Sequence, residues 1–341
     1  MRYLIIRFSS LGDVILTTPV IASLAETYPD AEIHFAVSSA YTEILRDFPR
    51  SVIVHAFSGH NRREFLEYAA GFAPLQFDAV FDLHANWRSR MLVHHVSAAR
   101  VYTYPRDFYR RWSMVYLKRG FALARPVVQR YLEPIRKAGL PAATATPHLN
   151  VDGEKKAFAA AELARRGWSP DRPTIGIGWG ARWPTKKVPE ELWESLLTGV
   201  NHSDTPAFLI FAQPEDRVEV EKFIDRVGRQ TVFLYIDKSL AHVLGAVSLC
   251  NAFISSDSGL MHAAAALGVP TIGIFGPTHP ALGFAPCSPS SQAVHSGIFC
   301  SPCSRHGRAP CYRKHRFCFD QIDVQSLVEL VNSRLKENAS P

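Results

Sequence analysis

The chain has 341 residues, 47% of them hydrophobic, with 38 Lys and Arg against 31 Asp and Glu for a net charge of +7. That length suits two cores better than one, and the composition excludes a disordered chain. No run approaches the ~20 apolar residues of a membrane span.

The start, MRYLIIRFSSLGD, is interrupted by Arg7 and Asp13 and lacks a small-residue cleavage site. It reads as a first strand, not a signal peptide, so a cytoplasmic protein is expected. Arg2 to Phe8 is that strand. Ser9-Ser10-Leu11-Gly12-Asp13 follows as a polar loop, and Thr18 caps a helix with Pro19 at its first position, where the missing N–H costs nothing. Glu32 to Val37 is the next strand. Gly12 and Asp13 therefore lie after the first strand of a β-loop-α-β unit, where open α/β sheets bind ligands. Asp13 is there either a helix-start acid or a general base.

Tyr41 to Phe48 reads as a short helix, Ser51 to Ala56 as a strand, and SGHNRR (58–63) as a basic loop before a helix over Glu64 to Ala73. Ala79 to Leu83 is a strand ending near Asp82, His84, Asn86 and Arg88. Arg100 to Tyr104 is another strand, and Gln129 to Gly139 is a helix. PAATATPHLNVD (141–152) is the linker, which divides the chain into residues 1–150, 151–320 and a closing helix in 321–341. Two basic segments stand out. Arg100 to Lys137 holds ten Lys or Arg against two acids, and Cys300 to Phe319 holds five and no acid. Such patches suit an anionic partner, whether phosphorylated lipid, membrane surface or nucleic acid, or are plain solvated faces.

The second half alternates again: helix Lys155 to Arg166, strand Pro173 to Gly178, helix Glu190 to Thr198, strand Ala207 to Ala212, helix Val218 to Val227, strand Thr231 to Tyr235 and helix Leu240 to Ser248. NAFISSDSGLMHAAAALGVPTIGIFGPTHP (251–280) is then a βαβ unit. Ser256-Asp257-Ser258-Gly259 forms its strand-to-helix corner, with His262 a turn later. Free N–H groups and the helix dipole favour phosphate there; a capped helix with no ligand is the plain alternative. Ile322 to Lys336 is a closing amphipathic helix. The fold expected is α/β: two doubly wound, Rossmann-like domains facing across a cleft.

SSLGDVILTTP, KKVPEELW, a proline-acid pair after a strand and SSDSGLMHAAAALGVPTIGIFGPTHP occur in that order. Together they resemble the family 9 glycosyltransferases, the ADP-heptose:lipopolysaccharide heptosyltransferases, over nearly the whole chain. The resemblance implies a GT-B fold and an inverting transfer of heptose from ADP-heptose to the lipopolysaccharide inner core, or its lipid A-Kdo precursor, at the cytoplasmic face of the inner membrane, with only peripheral membrane contact and no nucleic acid partner. Asp13 matches the family's catalytic base. Lys186 matches its pyrophosphate-binding lysine. Glu215 or Asp216 matches an acid near the nucleoside, and Asp257, Ser258, Gly259 and His262 match the donor corner. Ser10, Gly12, Arg62 and Arg63 fall where the family binds its acceptor. The family's K-x-W-P is here Lys186-Lys187-Val188-Pro189, and Ala181-Arg182 replaces hydroxyl residues of some members. The chain has no Asp-x-Asp metal motif. A lysine and a helix amino end then neutralise the leaving pyrophosphate, and no cofactor is expected for catalysis.

Cys300, Cys303, Cys311 and Cys318 make C-x2-C-x7-C-x6-C in a basic loop, a spacing that suits a structural Zn or Fe ion as well as four free thiols. Three rivals remain. Gly176, Gly178 and Gly180 suggest a dinucleotide-binding oxidoreductase. The basic segments suggest a nucleic-acid-binding protein. A family 9 enzyme acting on a protein or another glycan is the nearest rival.

Overall fold

The computed structural model describes residues 1–46, 48, 52–142, 146–200, 205–237 and 239–339. Residues 47, 51 and 143–145, which belong to an expected helix, strand and linker, lie outside them. The chain divides into two units: Met1–Asp107 with Val127–Asn150, and Phe108–Pro126 with Val151–Pro341.

The first unit contains β1 (Arg2–Ile6), α1 (Leu11–Ile15), α2 (Thr18–Thr27), β2 (Glu32–Ser38), α3 (Glu43–Arg46), β3 (Val52–Phe57) and α4 (Arg62–Ala70). It continues through β4 (Gln76–Phe77), β5 (Ala79–Asp82), α5 (Trp87–His95), β6 (Ser97–Ala98) and β7 (Val101–Thr103); α6 (Phe108–Tyr116) belongs to the second unit, and α7 (Val127–Lys137) to the first. The main sheet is parallel, in the order β3-β2-β1-β5-β7. Its strands are near-continuous apolar runs, as expected of a parallel sheet covered on both faces. Leu4, Ile6, Ala36 and Val80 pack with Phe8, Phe57, Phe65 and Phe72 in one core.

The second unit contains α8 (Gly153–Ala164), β8 (Thr174–Gly178), α9 (Glu190–Gly199), β9 (Ala207–Phe211), α10 (Arg217–Val227), β10 (Val232–Tyr235), α11 (Leu240–Val247) and β11 (Ala252–Ser256). After them come α12 (Gly259–Ala266), β12 (Thr271–Phe275), β13 (Gln292–His295), α13 (Phe317–Asp320) and α14 (Val324–Ala339). The parallel sheet runs β10-β9-β8-β11-β12-β13, the Rossmann order when counted within the unit. Side chains of β9 alternate between two cores: Phe208 and Ile210 pack with Trp193, Phe223 and Val331 on one face, while Ala207, Leu209 and Phe211 pack with Leu163, Val247 and Phe253 on the other.

Several local expectations change. The stretch after β1 is a one-turn helix, α1, because Asp13 reaches back to the Ser10 backbone N–H as in a capping box. Further elements escaped a reading based on apolar periodicity: the short strands β4 and β6, the helices α5 and α13, the half-exposed edge strand β13, and α6, which shows aromatic side chains to solvent. In each sheet the chain reverses direction of travel at one point, between β1 and β5 and between β8 and β11. Ligands of doubly wound folds sit at such switch points, and both sequence-derived corners fall there.

Candidate active site

At the first switch point, β1 ends at Ile6 and the chain continues through Arg7, Phe8 and Ser9 into α1. Arg7 Nη1 donates to the Leu83 carbonyl at 2.6 Å, which ties the end of β1 to that of β5. Its Nη2 lies 2.6 Å from Asp13 Oδ1. Tyr131, on α7, donates its hydroxyl to the same oxygen at 2.8 Å. Asp13 Oδ2 accepts from Ser10 Oγ at 2.8 Å and from the Ser10 backbone N–H at 3.2 Å. Burial alone pushes the Asp13 carboxyl up, but the Arg7 charge and the Tyr131 and Ser10 donors outweigh it, so it is held well below the usual carboxylate range. A depressed folded-state value stabilises the unit above the unfolded carboxyl pKa of ~3.9, and this contribution is lost as pH falls below it. With side-chain exposures of 9% and 16%, the Arg7–Asp13 pair is mostly buried; loss of either partner costs about 3–5 kcal/mol. His84, at the next strand end, is pushed down to about 3 by burial and then by Arg7. It is a neutral neighbour at physiological pH.

Gly12 is buried in α1, and Ser10 is half-buried beside Asp13. Arg62 and Arg63 open α4 on the surface, where Arg63 pairs with Glu67 one turn on at 3.0 Å. Among the described residues neither arginine bonds to the Asp13 corner. Sequence reasoning missed Arg7 and Tyr131. A charge at the end of an apolar strand was a visible signal for Arg7, but Tyr131 lies 118 positions away and gave none.

At the second switch point, the turn after β8 carries Lys186 back to the α12 corner. Lys186 Nζ lies 2.7 Å from Asp257 Oδ2, with exposures of 14% and 13%. Thr278 Oγ1 donates to the same oxygen at 2.9 Å. Ser258 is the N-cap of α12, its Oγ accepting from the Met261 N–H at 3.4 Å and lying 2.8 Å from Ser255 Oγ. Gly259 is the first residue of that helix, and His262 is buried in it, its ring edge-on to Phe284. The corner thus offers one ammonium, one carboxylate, two hydroxyls and the free N–H groups of a helix start, an arrangement suited to a diphosphate. The lysine is held from behind. Thr185 Oγ1 donates to the Gly307 carbonyl, and a Cβ on Gly307 would fall 2.6 Å from Lys186 Cγ.

The structure separates the roles of the two adjacent lysines. Lys187 turns away to Asp216 and Glu219, each at 2.8 Å. Burial lowers its pKa, but these two acids raise it by more. Asp216 is therefore engaged in an ion pair, whereas Glu215 is exposed beside it. Gly176 and Gly178 lie within β8, not in a phosphate loop. A Cβ on Gly176 would meet Phe253 at 2.4 Å, and one on Gly178 would meet Ser255 Oγ at 2.4 Å. They are spacers between β8 and β11, so the oxidoreductase reading loses its motif.

The expected metal-ligand set is not assembled. Among the described residues no group of three or more His, Cys, Asp or Glu side chains is placed to hold a metal ion. Cys300, Cys303, Cys311 and Cys318 all line one cavity of about 220 Å³, and two of the thiols turn to backbone carbonyls. Cys311 Sγ donates to the His315 carbonyl at 2.9 Å and Cys303 Sγ to that of Pro277 at 3.7 Å. Burial, then the neighbouring Cys303, pushes the Cys318 thiol up to about 12.

The profile of glycosyltransferase family 9 (heptosyltransferase) matches residues 73–312, well over half of the chain. The chain belongs to glycosyltransferase family 9. Lipopolysaccharide heptosyltransferase 1 of Pseudomonas aeruginosa is 26% identical to this transferase over 319 residues, 89% of this chain and 86% of that protein. Among solved structures, a family 9 glycosyltransferase from Veillonella parvula superposes with a TM-score of 0.79 at 19% identity, covering 98% of this chain and 97% of its own. ADP-heptose lps heptosyltransferase II of Escherichia coli does so with a TM-score of 0.76 at 19% identity, covering both chains in full. The expected GT-B architecture of two Rossmann-like units therefore stands, and the nucleic-acid reading gives way to a glycosyltransferase. Among the described residues of this transferase no helix is long and apolar enough to cross a membrane.

Proposed function

We propose that this transferase moves a heptose from ADP-heptose to the lipopolysaccharide inner core with inversion at the anomeric carbon. The observation that carries the donor half is the Lys186–Asp257 pair at the amino end of α12, at 2.7 Å. The pyrophosphate binds there, shifting Lys186 from the Asp257 carboxylate to its own oxygens. Ser258, Gly259 and His262 shape the sugar side, and the acid at Glu215 or Asp216 serves the nucleoside. In the first unit Asp13 takes the acceptor proton, with Ser10, Gly12, Arg62 and Arg63 on the acceptor side. As the acceptor oxygen bonds to C1, the C1–O bond to the β-phosphate breaks, and its electron pair leaves with ADP. A carboxylate held ionised is a weak base, which suits a proton that departs late, once the bonding oxygen has become acidic. Lysine and helix dipole supply the cationic stabilisation that a metal gives other transferases.

The test is transfer from ADP-heptose to purified core acceptors with and without EDTA. Equal rates in both, and ADP as product, are expected. Transfer to a protein or another glycan, with none to the core acceptor, would replace the acceptor; dependence on a divalent ion would remove the metal-free role of Lys186.

The protein is expected in the cytoplasm, peripheral to the inner membrane, and α6 supports this. Phe108, Tyr109, Trp112 and Tyr116 form an exposed aromatic stripe on it, Tyr109 at 84%. Within the same unit Arg305 lies 4.7 Å over the Phe108 ring, and Lys118 donates to the Cys300 carbonyl at 2.9 Å, joining α6 to the second basic segment. Aromatic rings among basic side chains suit an anionic bilayer surface. In sedimentation with phosphatidylglycerol-containing vesicles, a Tyr109→Ser/Trp112→Ser double variant should bind about tenfold less, the loss of roughly 1–2 kcal/mol of apolar burial. Undiminished sedimentation would discard α6 as the contact.

A further inference from the structure

The two oxygens of Asp13 are held by different kinds of partner. Oδ1 takes Arg7 and Tyr131, whose side chains are buried, Tyr131 to 1% exposure. Oδ2 takes Ser10 alone, through its hydroxyl and its backbone N–H, and Ser10 is a half-buried residue whose hydroxyl can turn about one bond. We propose that Arg7 and Tyr131 are positioning residues for Asp13: by holding Oδ1 they leave Oδ2, once the Ser10 hydroxyl swings aside, as the oxygen that takes the acceptor proton. This rests on the reading of Asp13 as the base. The step balances simply. The acceptor O–H bond breaks, its proton goes to Oδ2, and its electron pair becomes the new bond to C1.

The surrounding framework leaves the carboxylate one orientation. Arg7 is pinned to the Leu83 carbonyl as well as to Asp13, and its guanidinium stands 5.3 Å from the Tyr131 ring centroid. Tyr104, after β7, packs edge-on to Tyr131 at 5.0 Å. The charged and titratable groups facing Asp13 are therefore Arg7 just after β1, Tyr131 from α7 and His84 just after β5, with Asp82, Tyr104, Arg88 and Arg106 beyond them. Arg7 supplies the cation in contact with the carboxylate. Without it the buried carboxyl rises, because desolvation favours the neutral acid.

The test is kcat and KM against pH for full-length wild type, Tyr131→Phe, Arg7→Lys, Arg7→Met and Asp13→Asn, with ADP-heptose and a delipidated core acceptor. Wild type and Arg7→Lys should show no acid limb from Asp13 above roughly pH 5, whereas Arg7→Met should bring one into the range of about pH 5–7. Tyr131→Phe should lower kcat about tenfold at unchanged donor KM, as expected when one aligning hydrogen bond is lost. A merely structural role would lower the melting temperature and the active fraction equally at every pH, with no new limb. Should Arg7→Met fail to fold, Tyr131→Phe carries the test through kcat against KM, because Phe refills the same buried space. Inactive Asp13→Asn beside wild-type kcat in Tyr131→Phe would overturn the positioning roles alone. Full activity in Asp13→Asn would remove the base and the positioning roles with it.

Discussion

Asp13→Asn is expected to lower kcat by about 10²–10⁴-fold, the usual contribution of a placed general base, with ADP affinity unchanged. The substitution keeps the shape of the side chain and removes its charge. It also leaves Arg7 buried against a neutral amide, which costs stability on the scale of about 3–5 kcal/mol. Rates must therefore be normalised to folded protein, by melting curve or active-fraction titration with ADP. Ser10→Ala provides the comparison: it removes the 2.8 Å hydroxyl contact to Oδ2 but leaves the ion pair in place. Its loss of activity should be smaller by an order of magnitude or more. An Asp13→Asn protein that melts normally and keeps kcat within tenfold would reduce Asp13 to a helix-capping residue and leave the transfer without a base.

Lys186→Ala is the second large effect. Charge builds on the pyrophosphate as the C1–O bond breaks, so a cation there binds the transition state more tightly than the ground state. Removing it should cost about 10²–10³-fold in kcat, the scale seen when one such preorganised donor is lost, and weaken ADP binding in calorimetry. The pair is 2.7 Å long and mostly buried, so Asp257 keeps the Thr278 hydroxyl as a donor and the corner loses a cation without collapsing. Lys187→Ala is the control. Its ammonium is committed to Asp216 and Glu219, and it should act on stability more than on donor binding. Gly307→Ala should reproduce the Lys186 defect at smaller size, because its methyl would displace the lysine stem and Gly307 also sits at a φ of +79° that alanine tolerates poorly. Unchanged ADP affinity in Lys186→Ala would move the pyrophosphate away from this corner.

The sequence determined much of this on its own. Apolar runs of strand length alternating with helices placed ten of the strands and the doubly wound class, because a parallel sheet covered on both faces must read that way. Capping residues marked the α12 corner, since a serine such as Ser258 ahead of a helix-forming run states the N-cap conformation locally. Ordered motifs pointed to the family. Apart from the family resemblance, which chose Lys186, nothing in the local pattern separates Lys186 from Lys187, which are alike in type and adjacent. Only folding sends one to Asp257 and the other to Asp216 and Glu219. Nor could the sequence reveal that Arg7 and Tyr131 meet on Asp13, or that two of four cysteines at metal-like spacing, Cys303 and Cys311, turn to backbone carbonyls. Those facts depend on where distant segments return in space, and a pairing across 118 residues leaves no trace in local periodicity.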